Sequence, residues 1–142
     1  MLKWPNDLLL DGAKLSGILA ERQGNEIVIG FGVNLGHAPE LPDRRTIALG
    51  PGAPLPEDFL GQLAACFATA LATWRREGLA PIRRDWEARA HPRGTPLVAA
   101  GPPRQEGRFH GLADDGALAL ETDAGLVTVH GGEVALAGGK AG

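Results

Sequence analysis

The sequence predicts an α+β fold on three observations: strand patterns over residues 1–35, two helical patterns between residues 56 and 90, and a run of short strands from Gly94 onward. The first strands flank Asp11-Gly12, the dipeptide that most favours a tight hairpin turn. Ile27, Val28 and Ile29 form a continuous apolar run, as expected of a strand buried on both faces. Residues 36–55, rich in Pro and Gly and without periodicity, read as a long loop of the kind that is functional or mobile. A helix is predicted from about Pro56 to Glu77. Pro56 and the acids Glu57 and Asp58 suit its start, and Arg75, Arg76 and Gly78 suit its end. Phe59, Leu63, Phe67, Ala70, Leu71 and Trp74 give it one apolar face. A shorter helix follows from about Pro81 to Ala90, stopped by Pro92.

From Gly94 the segments TPLVAA, GRFHGLA, ALALET, LVTVHG and EVALA are separated by turn residues, which predicts a small barrel. At under ~50 residues such a unit has too little core to stand alone and is expected to dock on what precedes it. The predicted domains are therefore residues 1–92 and 93–142, the closing AGGKAG being a frayed tail.

With 142 residues, 44% of them hydrophobic and 22% charged, the chain can build a core. A formal net charge of -3 argues against nucleic acid as the main partner. The lone Cys66 has no internal disulfide partner, so a reducing, cytoplasmic setting is expected. There is no apolar stretch of membrane-spanning length and no secretory pattern. His37, His91, His110 and His130 lack metal-ligand spacing and are expected at the surface or in turns. Cys66, Trp74 and Trp86 are expected in the core, and Arg83 and Arg84 on a solvated helix face.

Two segments suggest chemistry. In KWPND, Pro5-Asn6-Asp7 is good turn chemistry, and by spacing alone it reads as a structural turn before a hairpin, with Trp4 as a core anchor and Lys3 as a solvated terminal charge. In GFGVNLG the dinucleotide fingerprint fails, because Leu35 stands where a third glycine is needed and no helix opens there. Gly30 and Gly32, on alternate positions of a strand, instead clear one face so that a flat ligand can approach the backbone; a bulge or bend explains them equally well.

Taken together, KWPND, GAKLSGILAE and VIGFGVNL, continuing through EGLAPIRRDWEARA and GRFHGLADDGALALET, resemble the biotin protein ligase family over essentially the whole chain. The resemblance implies part of a class II synthetase-like core with a partial mixed β-sheet and two helices, then an SH3-like barrel. It implies that biotin and ATP, with magnesium, form biotinyl-adenylate, and that biotin passes to a lysine of a biotin carboxyl carrier protein. It assigns Lys3 to the biotin carboxylate and the α-phosphate. Gly30, Gly32 and Val33 are assigned to biotin, and Asn6, Asp7, Lys14 and Asn34 to the nucleotide, with Asp7 a weak candidate for the metal. Lys14 reads equally as a solvated hairpin charge, and Asn34 also as a turn residue ending its strand. A cation between two anions relieves roughly 4 kcal/mol per close pair at an effective dielectric of about 20.

The chain departs from the family pattern in lacking the GRGRxGR loop that precedes KWPND in its members. The expectation is a shortened ligase whose apolar strands, around Leu8–Leu10 and Ile27–Ile29, pair with a second copy or with a missing N-terminal half. A non-catalytic binding or assembly module is the alternative.

Overall fold

A computed structural model describes residues 1–137; the predicted tail from residue 138 lies outside the described residues. Four strands, β1 (Leu2–Lys3), β2 (Asp7–Leu10), β3 (Ala13–Gln23) and β4 (Glu26–Val33), form one sheet in chain order. Every ladder in it is antiparallel, because each strand returns through a short turn. The expected mixed sheet is thus corrected: its only parallel element among the described residues is an isolated bridge from Lys14 to Thr46 in the long loop. The β2–β3 turn is the hairpin that Asp11-Gly12 predicts, with φ of 51° and 74°, both left-handed.

Helix α1 (Pro56–Glu77) has the predicted bounds. Gly78, at φ 76°, ends it by donating its N–H to the Trp74 carbonyl. Helix α2 (Leu79–Glu87) starts and stops earlier than expected. Pro81 sits in its first turn, where no N–H is needed, and Arg89 and Ala90 close onto Trp86 and Glu87 in tighter turns. Five strands follow: β5 (Pro96–Ala100), β6 (Gln105–Leu112), β7 (Leu118–Thr122), β8 (Gly125–Val129) and β9 (Glu133–Leu136). They form an antiparallel sheet in the order β8-β7-β6-β5-β9. No ladder joins β8 to β9 among the described residues, so a five-stranded sheet is what stands where a barrel was predicted.

The core lies in this second sheet, where Leu97, Ala99, Phe109, Leu118, Leu120 and Val134 are buried together with Trp4 from the other end of the chain. Trp4 also donates its indole N–H to the Gly116 carbonyl at 3.2 Å. Trp86 packs on the same cluster and meets Phe109 edge to face, as its core assignment requires. The KWPND turn is therefore bolted to the second sheet. Further ties are Leu2 N–H to the Arg89 carbonyl (2.7 Å), Leu112 N–H to Glu87 Oε1 (2.8 Å), and an Arg83–Asp114 ion pair.

Several burial expectations are corrected. Ile27, Val28 and Ile29 are exposed at 60%, 47% and 38%; as consecutive residues they alternate between faces, so neither face of this part of the edge strand β4 is covered. The exposure expected of a shortened sheet is found there and at Leu10. Helix α1 has no buried residue; Phe67 touches Phe31 of β4 edge on, while Trp74 and Cys66 are exposed rather than in a core. His91, expected at the surface, is buried. No described helix is long and apolar enough to cross a membrane.

Candidate functional site

Register brings the site together. Lys3 pairs with Asp7, Asp7 with Gly17, and Gly17 with Gly32, so these residues line up across all four strands on one face. Gly30, opposite Leu19, lies on the same face. Phe31 and Val33 point the other way, toward the side that carries α1. The side chain of Val33 thus does not share the surface of Gly30 and Gly32.

Lys14 is three residues from Gly17 and in a regular strand would face away from it. A register shift between Leu8 and Leu9 takes the partner of β2 from Ser16 to Lys14, and this bulge turns the lysine onto the face of Asp7. Its Nζ lies 2.5 Å from Asp7 Oδ1, and Lys3 Nζ lies 3.9 Å from Asp7 Oδ2. Asp7 Oδ1 is buried without an aligned hydrogen bond, so the contact with Lys14 is ionic. Two cations share one carboxylate, which leaves a net positive, largely shielded cluster.

The two asparagines hold backbone. Asn6 Nδ2 donates to the Ile18 carbonyl at 2.6 Å, tying the turn to β3. Asn34 Nδ2 donates to the carbonyls of Lys14 (3.3 Å) and Ile47 (3.0 Å) and so joins β3 to the long loop. That loop is laid against β3 by Lys14 N–H to the Arg45 carbonyl and Ile47 N–H to the Lys14 carbonyl.

A cavity of about 510 Å³ opens between the lysines and the second sheet. Lys3, Lys14, Arg44, Arg45 and Arg104 supply positive charge to its wall. Arg44 also pairs with Asp43 and, across to the second sheet, with Glu133 at 3.2 Å. Its guanidinium holds the Asp43 carboxyl below the usual range. Buried His91 lines the same cavity, and burial, with Lys3 nearby, holds its imidazole below the ordinary 6.5. Sequence reasoning missed these arginines and His91, because they converge only through the docking of two sheets. A polyanion is the ligand this charge pattern suits.

Gly30 and Gly32 have ordinary backbone angles. A Cβ at either would meet protein only at 3.9 and 3.8 Å, an ordinary contact. Neither strain nor packing calls for glycine there; a flat surface beside the lysine pair remains as their consequence.

The segment that carries this lysine pair and glycine surface, residues 1–36, matches the model of the Biotin/lipoate A/B protein ligase family. Residues 104–136 match the model of the Biotin protein ligase C terminal domain. The chain is 39% identical to the biotin–[acetyl-CoA-carboxylase] ligase of Paracoccus denitrificans over 96% of its own length and 63% of that protein. It is 33% identical to the bifunctional ligase/repressor BirA of Bacillus subtilis, over 95% of this chain and 46% of the relative. With both segments matched in order, the chain is similar to the biotin protein ligase family along most of its length. It spans under two thirds of the length of these relatives. Among solved structures, the biotin protein ligase of Aquifex aeolicus in complex with biotin and ATP shares the fold, with a TM-score of 0.81 at 23% identity, over 95% of this chain and 60% of that one. The apo structure of the same ligase gives 0.84 at 22% identity, over 95% and 64%.

Proposed function

We propose that this chain provides the adenylation site of a biotin protein ligase. The observation that carries the proposal is the Lys3–Asp7–Lys14 cluster beside Gly30 and Gly32 on one sheet face. In this reading the glycines floor the biotin rings, and Lys3 draws the biotin carboxylate and the α-phosphate of ATP together. A carboxylate oxygen attacks the α-phosphorus, the bond to pyrophosphate breaks, and biotinyl-adenylate forms. A lysine of a biotin carboxyl carrier protein then attacks the acyl carbon and AMP leaves. Lys14 faces the phosphates. Asn6 and Asn34 hold the backbone around them, and the Asn34 amide oxygen is left for the adenine amino group. Fixed cations aimed at growing phosphoryl charge are the largest catalytic contribution available to such a site.

A protein-held magnesium does not fit Asp7, whose oxygens already face two ammonium groups, and no cluster of three candidate ligands occurs among the described residues. Magnesium is assigned only as the counter-ion of ATP itself.

The reading includes the division into residues 1–92 and an SH3-like unit over 93–142, and a cytoplasmic setting. It also has exposed Ile27, Val28 and Ile29 covered by a second copy or by the remainder of a longer ligase. Light scattering tests the former: a monomer at high concentration rules out the second copy.

A non-catalytic binding or assembly module is the alternative reading. Calorimetric titration with biotin, ATP and a non-hydrolysable biotinyl-adenylate separates the two. Micromolar binding is expected from an adenylation site; silence with all three supports the module.

A further inference from the structure

We propose that Gly17 and Asp7 are positioning residues that set where the Lys14 ammonium stands, and through it where the phosphates of the nucleotide bind. The proposal rests on the nucleotide reading above.

Gly17 does not have a left-handed φ, so its backbone could carry any residue. What it lacks room for is a side chain. A Cβ there would lie 3.1 Å from both Cε and Nζ of Lys14 and 3.3 Å from Asp7 Oδ1. The other glycines of this face differ, since Cβ atoms at Gly30 and Gly32 meet nothing closer than backbone oxygens at 3.9 and 3.8 Å. Gly17 is therefore the floor over which Lys14 crosses to reach the carboxylate. The atoms that a Cβ would displace are the far end of a flexible side chain, not backbone. Alanine at this position moves an ammonium group and leaves the sheet intact.

Asp7 is the other half of the device. It sits between Lys3 and Lys14, with an oxygen toward each, and its side chain is only 10% exposed. It offsets the repulsion between two ammonium groups confined to one shielded face and keeps them at a set separation. The bulge at Leu8/Leu9 completes the arrangement, because without it Lys14 would project from the opposite face. Gly17, Asp7 and the bulge thus convert two flexible lysines into a fixed pair.

The test is a double-mutant cycle on ATP affinity, measured by calorimetry on this chain. Lys14→Ala and Gly17→Ala are each expected to weaken ATP binding about tenfold, and the double variant to bind no more weakly than Lys14→Ala alone. Multiplication of the two losses, or wild-type affinity for Gly17→Ala, overturns the proposal. A second measurement is independent of nucleotide: ¹⁵N spectra of the lysine ammonium groups, assigned through Lys14→Arg. Gly17→Ala and Asp7→Asn are each expected to shift the Lys14 resonance in the same sense. An unmoved Lys14 signal in Gly17→Ala overturns the positioning role. If the wild-type chain binds no ATP, the nucleotide reading fails, and this spectrum alone decides whether Gly17 sets the lysine.

Discussion

Replacing Trp4 tests how tightly the KWPND turn is built into the second sheet. Its indole is 8% exposed and packs with Leu97, Phe109, Leu118 and Leu120. A tryptophan buries about 150–250 Å², worth about 4–6 kcal/mol at 25 cal/mol per Å² as an upper bound. Measured truncations of buried aromatics to alanine cost about 3–5 kcal/mol. Loss of the indole N–H also leaves the Gly116 carbonyl without its donor, for roughly 1 kcal/mol. Trp4→Ala is therefore expected to cost about 4 kcal/mol, a large part of the 5–15 kcal/mol that typically holds a domain. Trp4→Phe keeps most of the apolar contact and should cost about 1–2 kcal/mol. Urea unfolding followed by circular dichroism and by the fluorescence of Trp74 and Trp86 measures both. A loss below about 1 kcal/mol for Trp4→Ala would refute the claim that this side chain belongs to the core of the second sheet.

Two further outcomes follow from single residues. His91 is held below its ordinary 6.5 by burial and then by Lys3, so the unfolded chain takes up its proton first as pH falls. Stability should therefore decline as pH drops from 6.5 toward the depressed value, by at most about 1.4 kcal/mol per pH unit, and His91→Gln should flatten that limb in urea midpoints; equal slopes in both proteins would contradict it. Gly132 has φ 109°, and a Cβ there would lie 2.1 Å from the Ala100 carbonyl oxygen, so Gly132→Ala should cost at least ~2 kcal/mol in the same assay, and a neutral substitution would show that β5 and β9 pair differently.

Local signals in the sequence carried far. Pro56, two acids, two arginines and Gly78 bracket a helix whose observed bounds are the predicted ones, because caps and dipole partners act within a turn or two. Asp11-Gly12 marks its hairpin for the same reason. Lys3, Asp7, Gly30 and Gly32 were legible as a group only through resemblance, since nothing local says that they share a face. What stayed hidden depends on distant partners. The buried residues clustered with Trp4 begin only at Leu97, with Trp86 and Ala90 packed against them. An apolar triplet such as Ile27–Ile29 reads as buried, and only strand order shows that it lies at an edge. The role of Gly17 needed a bulge, which breaks the odd-even rule on which strand reading rests. A glycine inside the strand pattern KLSGIL was the one available hint of a close approach.

In the proposed reaction the Lys3 ammonium is the group that joins a carboxylate to a phosphate. Biotin-dependent release of pyrophosphate from ATP, compared between the unaltered sequence and Lys3→Ala in the same complete ligase background, measures this directly. A loss on the order of 10²–10³-fold, with the fold retained, is expected. A loss below about threefold would contradict it, because a fixed cation at the reacting atoms cannot be removed so cheaply.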